Sequence, residues 1–141
     1  MPTRLADEDA TRAYASRLAA RLPHGALLLI DGPLGAGKTT LVAALVAALG
    51  GPERTSSPTY TLIHEYPTPT GPVVHVDAYR LGDPAQLAEM GLDDYLARAR
   101  LVAVEWGGAL AAEYPDAWRL RLDRPVGADT IRTAELTVPD G

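Results

Sequence analysis

The chain has 141 residues, no cysteine, 47% apolar and 22% charged residues, and a formal net charge of −5. That length suits one domain, 1–141, with a substantial core, and the missing cysteine excludes disulfides, thiol catalysis and thiolate metal sites. The acid excess argues against a whole-surface nucleic-acid binder, which is normally basic, so no DNA partner is expected. No apolar run approaches the ~18 residues that cross a bilayer, so no membrane partner is expected either. The opening MPTRLADEDATRAYASRL is polar and acidic rather than a signal peptide, and the expected location is the cytoplasm.

In chain order, Asp7 to Leu22 reads as a helix, with Ala10, Ala13, Tyr14, Arg17 and Leu18 at helical spacing and Pro23-His24-Gly25 closing it. Ala26 to Ile30 is a short apolar run suited to a buried parallel strand. A glycine-rich loop follows over 32–40. Lys38 to Leu49 then reads as a largely apolar helix stopped by Gly50-Gly51. Thr59 to Tyr66 is rich in β-branched and aromatic residues and predicts a strand, with Pro67 to Pro72 as a turn and Val73 to Asp77 as its hairpin partner. Asp83-Pro84 reads as a helix start, with short helical pieces to about Ala99. Leu101 to Glu105 predicts a second buried strand, and Gly108 to Glu113 a helical turn. Trp118 to Leu122 and Thr130 to Val138 alternate apolar and polar, the pattern of an antiparallel hairpin at a sheet edge. Arg119, Arg121 and Arg124 would then discourage edge-to-edge aggregation. The sum is an α/β fold with a parallel central sheet and antiparallel strands added at its edges.

The loop Gly32-Pro33-Leu34-Gly35-Ala36-Gly37-Lys38-Thr39-Thr40 is a full G-x-x-x-x-G-K-[ST] phosphate-loop match, and it stands between a strand and a helix as that motif requires. This predicts the three-layer P-loop nucleotide-binding fold. Its glycines let backbone N–H groups turn inward, so Gly35, Ala36, Gly37, Lys38, Thr39 and Thr40 are the expected phosphate contacts, helped by the positive end of the helix dipole. Lys38 is the only lysine, and the other twelve basic residues are arginine. A compact ammonium fits between two phosphates better than a planar guanidinium does, and Lys38 is expected to face phosphate and not the core. Mg²⁺ takes oxygen ligands. The Thr39 hydroxyl is the first expected, and an acid at the end of a neighbouring strand is the second. Glu105 ends LVAVE and Asp77 ends VVHVD, and the residues alone leave open which of them holds the metal and which the attacking water. The chain contains no asparagine, so the guanine-reading Asn-Lys-x-Asp motif is absent and ATP is the expected nucleotide. The three histidines show no metal spacing, and His75 reads as a packed or hydrogen-bonded strand residue. Trp118 reads as core, and Arg80 as a phosphate contact, as an ion pair that orders the Asp77 segment, or equally as a surface salt bridge.

Four stretches, GPLGAGKTT at 32–40, SPTYTLIHEY at 57–66, HVDAYRL at 75–81 and VEW at 104–106, occur together in one order. In these the chain resembles the TsaE (YjeE) family, small P-loop ATPases that assist formation of threonylcarbamoyl-adenosine in tRNA. The resemblance spans about 32 to 106. It implies that Lys38 and Thr39 hold phosphate and Mg²⁺. It implies a switch-like segment at Ser57-Pro58-Thr59, with Thr59 near the metal or its water. Asp77 would then serve hydrolysis, Glu105 would be the Mg²⁺ partner, and Trp106 would lie near the nucleotide or a partner surface. Many members carry a further acid just after the E-W pair, where this chain has Gly107-Gly108. The implied partner is a TsaB–TsaD heterodimer, with tRNA engaged indirectly.

Three function classes follow: an ATPase that drives a partner's cycle, a small-molecule kinase, and a nucleotide-dependent binding module with negligible turnover. Residues 82–100 hold only Arg98 and Arg100 as basic groups, so no arginine-rich kinase lid is evident. The expectation is therefore a Mg-dependent ATPase with low basal activity, stimulated by its partners.

Overall fold

The structure is a computed structural model and describes residues 2–33, 36–52, 63–78, 91–124 and 131–139. Among these residues seven strands form one sheet: β1 (Thr3–Leu5), β2 (Ala26–Asp31), β3 (Ile63–Tyr66), β4 (Val73–Asp77), β5 (Leu101–Glu105), β6 (Trp118–Asp123) and β7 (Arg132–Thr137). Their order across the sheet is β1-β7-β6-β2-β5-β4-β3. The four inner strands β6, β2, β5 and β4 are parallel. β3 pairs antiparallel with β4, β7 with β6, and β1 with β7.

Two helices, α1 (Glu8–Arg21) and α2 (Lys38–Ala48), pack on one face. There Leu28, Ile30, Ala103, Leu120 and Leu122 meet Leu18, Leu41 and Leu45. On the other face Leu27, Leu29, Val102 and Val104 meet Leu92 of a short helix α3 (Leu92–Arg98) and Leu110 of a 3-10 turn, Gly107–Leu110. Successive residues of β2 and β5 thus belong to opposite cores, as the two-residue period of a strand dictates. This is why both strands read as unbroken apolar runs.

Local chemistry fixes the helix ends. The Asp7 carboxylate accepts from the Ala10 N–H at 2.8 Å, and Glu8 and Asp9 put negative charge in the first turn of α1. At the far end the Arg100 guanidinium donates to the Ala19, Leu22 and Pro23 carbonyls at 3.3, 3.0 and 3.0 Å. This satisfies oxygens that no further turn of helix can reach. The Gly50 and Gly51 N–H groups close α2 on the Ala47 and Val46 carbonyls at 3.0 and 2.9 Å.

The structure departs from the sequence reading at the Trp118 hairpin. β6 and β7 do form an antiparallel hairpin, but it is not at the edge. β6 lies inside the sheet, parallel to β2, and β1 sits outside β7. The alternation of β6 comes from a face that carries no helix among the described residues: Trp118, Leu120 and Leu122 are buried while Arg119 and Arg121 are exposed. Alternation reports how many faces of a strand are covered, not how many neighbours it has. β1 is three residues long and was not anticipated. The expected helix start at Asp83-Pro84 and the first part of the Thr59–Tyr66 strand lie outside the described residues.

Gly32 leaves β2 with φ +150°, and a Cβ built there would stand 2.1 Å from the Leu122 carbonyl oxygen of β6. Gly32→Ala is therefore expected to lower the unfolding free energy by about 1–3 kcal/mol through backbone strain. Urea denaturation measures it, and an unchanged midpoint contradicts the close approach.

Candidate functional site

The parallel register sets the level at which the strands stop. Asp77 pairs with Glu105, and Ile30 pairs with Glu105 on the other side. Asp31 follows Ile30, so three carboxylates gather at the C-terminal ends of β2, β4 and β5, the usual ligand position of an open parallel sheet. The N-terminus of α2 faces the same place. Gly37, its N-cap, has φ +93° and ψ 22°, a left-handed conformation that favours glycine. A Cβ built on Gly37 meets nothing within 4 Å among the described residues.

Lys38 is 5% exposed, yet it belongs to neither apolar core cluster. Its ammonium donates to the Gly32 and Pro33 carbonyls at 2.7 and 2.9 Å and stands 4.1 Å from the centre of the Trp106 ring. Burial holds its pKa below the ordinary 10.5. The charges of Glu105, Asp31 and Asp77 pull it back up, and Arg121 adds to the lowering.

The Thr39 hydroxyl lies 3.1 Å from both oxygens of Glu105, itself only 6% exposed. His75, buried beside it on β4, places Nε2 in hydrogen-bond contact with Glu105 Oε2. A hydroxyl and a carboxylate side by side are the hard oxygen donors that suit Mg²⁺, so these residues fit the expected metal. Asp77 is partly buried at the end of β4.

Trp106 follows Glu105 with φ 62°, the one left-handed residue other than glycine among those described. Its N–H donates to the Ile30 carbonyl at 2.7 Å. The two glycines after it are required by close packing. A Cβ on Gly107 would come 2.9 Å from Leu29 Cδ2, and one on Gly108 2.5 Å from Asp31 Oδ2. The Gly108 N–H donates to Asp31 Oδ1 at 3.1 Å. In this chain the acid beside the turn is therefore Asp31, a residue the sequence reading passed over.

Of the expected phosphate contacts, Ala36 is buried, Gly37 is partly exposed and Thr40 is exposed. All three line a cavity of about 100 Å³ with Thr11, Leu122 and Arg132. Its far wall, from α1 and β7, had no signal in the sequence. The expectations for Gly35, Thr59, Ser57-Pro58 and Arg80 lie outside the described residues.

The family model described as threonylcarbamoyl adenosine biosynthesis protein TsaE matches residues 5–131. The chain belongs to the TsaE family. It is 40% identical over 132 residues to the tRNA threonylcarbamoyladenosine biosynthesis protein TsaE of Streptomyces coelicolor, covering 89% of this chain and 88% of that one. It is 35% identical over 137 residues to the protein of the same name from Nostoc sp., covering 94% and 83%. Its fold resembles the crystal structure of YdiB from Bacillus subtilis, with a TM-score of 0.75 at 28% identity, covering 98% of this chain and 85% of that one. The architecture is accordingly a P-loop fold, consistent with nucleotide binding.

The lowered pKa of Lys38 has a sign that can be tested without nucleotide. The folded chain releases this proton before the unfolded chain does. Just below pH 10.5 the unfolded state therefore binds more protons, and stability gains from rising pH. Below the folded pKa the cost of burying the charge is felt in full. Tyr14 and Tyr114, whose pKa values burial raises, act the opposite way in both proteins, so denaturation across alkaline pH is expected to show the stability of wild type relative to Lys38→Met increasing as pH rises through this window. Parallel curves contradict it.

Proposed function

We propose that the chain binds MgATP at this site, hydrolyses it slowly alone, and thereby drives the cycle of a TsaB–TsaD type complex in the threonylcarbamoyl-adenosine modification of tRNA. The carrying observation is the Thr39–Glu105 contact beside Lys38 at the strand ends, in a chain of the TsaE family. The phosphates of ATP would take the N–H groups of the loop and of the first turn of α2. Lys38 would then exchange the Gly32 and Pro33 carbonyls for phosphate oxygens. Mg²⁺, when bound, neutralises charge on the transferring phosphate. Thr39 and Glu105 would hold it through their oxygens. Asp77 would orient the attacking water from the end of β4. The nucleoside end of the ligand would extend past the loop towards Thr11 and Arg132, which line the small cavity beside it. The modification chemistry itself would belong to the partners, with tRNA met through them.

The deciding experiment is phosphate release with and without the TsaB–TsaD pair, alongside a tRNA modification assay over several turnovers. A low basal rate that rises on adding the pair is expected, since a group supplied in trans accelerates P-loop hydrolysis by roughly 10³–10⁵. Phosphate should appear in water and on no small acceptor, which separates this reading from a kinase. Full multi-turnover modification with Lys38→Ala in place of wild type would sink the proposal.

The two acids should fail differently. Glu105→Ala is expected chiefly to raise the Mg²⁺ concentration needed for turnover. Asp77→Ala is expected to lower turnover by about 10²–10³, the scale for losing one catalytic group, with ATP binding kept. Mg²⁺ titrations of both variants decide: identical curves remove the division of labour and swapped curves reverse it.

A further inference from the structure

We propose that His75 is a positioning residue for the metal side of this site, its Nε2–H holding the Glu105 carboxylate in the orientation that faces Thr39. The inference rests on the reading of Glu105 as the Mg²⁺-side acid and adds a residue to it.

The position itself argues for a role. Val73, Val74 and Val76 on the same strand are fully buried, and His75 is 1% exposed. An apolar residue would fill that place at no polar cost. The imidazole instead buries two ring nitrogens. A carboxylate only accepts hydrogen bonds, so the contact to Glu105 Oε2 requires the proton on Nε2. That leaves a lone pair on Nδ1, which meets no partner among the described residues. The ring thus satisfies one nitrogen at the expense of the other, and the nitrogen it satisfies is the one on Glu105.

Register brings the two together. His75 pairs with Ala103 and Asp77 with Glu105, so His75 and Glu105 share the α2 face of adjacent parallel strands, two residues apart along the sheet. Thr39 of α2 also meets Glu105, 3.1 Å from each oxygen. A hydroxyl equidistant from both oxygens does not choose between them. His75 does: it engages Oε2 and leaves Oε1 with its lone pairs beside the Thr39 hydroxyl, where the metal would be held. A buried carboxylate needs such donors to stay in place, and partners that orient metal ligands typically govern metal affinity by 10–100-fold.

The test is ADP binding measured by calorimetry across a Mg²⁺ titration, and again in EDTA, with no turnover involved. His75→Leu keeps apolar volume, His75→Asn carries an amide too short to reach Glu105, and His75→Gln places an N–H near the lost Nε2. His75→Leu and His75→Asn are expected to need about 10–100-fold more Mg²⁺ for half of the metal-dependent gain in affinity, with binding in EDTA within about twofold of wild type and His75→Gln within about threefold. Thermal unfolding of each variant without nucleotide identifies any that do not fold, and either of the first two serves alone. An unchanged Mg²⁺ requirement overturns the inference. So do equal losses in EDTA and Mg²⁺, which mean packing alone, and a folded His75→Gln as impaired as His75→Asn. Glu105→Ala tests the reading beneath. If it leaves the Mg²⁺ requirement unchanged, the assignment of Glu105 fails. If it raises the requirement and the His75 variants do not, only the role of His75 fails.

Discussion

Parallel pairing of β2, β4 and β5 in register is the constraint from which the site follows. It stops Asp77 and Glu105 side by side, with Asp31 one residue beyond Ile30 on the third strand. Three carboxylates held this close repel one another unless something answers their charge. Lys38 answers in common, since all three raise its pKa against the effect of burial. Individual donors answer in detail: Thr39 and His75 for Glu105, and the Gly108 N–H for Asp31. The same register delivers α2 to the spot, because the loop that leaves β2 at Asp31 must turn directly into it.

The surroundings of Lys38 say what nucleotide binding would have to change. Its ammonium is held by two carbonyls of its own loop and by the face of the Trp106 indole, a cation–π contact of about 0.5–2 kcal/mol. A phosphate must offer more than these together. Trp106 keeps its left-handed backbone because the chain after it has no freedom: Gly107 lies against Leu29 and Val104, and Gly108 against Asp31. Strain of this kind persists where packing over-determines it. The turn is thereby anchored to the core, and Trp106 projects from it over the lysine.

Much of this was legible in the sequence, because the signals were local. The spacing of the phosphate loop, the apolar runs ending in Asp77 and Glu105, and the caps of α1 each depend on a few neighbouring residues. The residues left open whether Glu105 or Asp77 joins Thr39, and the contact with Glu105 appears only in the fold. What escaped the reading depends on residues far apart. Asp31 ends an apolar run just as the other two acids do, but it stands at the mouth of the loop, and its partner Gly108 lies 77 residues away. The inner place of β6 is a matter of sheet order, which alternation does not encode. The burial of Lys38 follows from Trp106 folding over it, set by a backbone conformation that side-chain type does not announce. Thr11 and Arg132 come to the phosphate loop only through the packing of α1 and β7.

The central claim is that the strand-end carboxylates and the N-terminus of α2 form one MgATP site. A crystal structure with Mg²⁺ and a non-hydrolysable ATP analogue tests it most directly. The metal is expected at about 2.0–2.1 Å from Thr39 Oγ1 in octahedral oxygen coordination. Glu105 should be bound to it directly or through water, and the Lys38 ammonium should have moved from the Gly32 and Pro33 carbonyls to the phosphates. A nucleotide bound elsewhere, or Lys38 still on those carbonyls with Mg²⁺ away from Thr39 and Glu105, would contradict it.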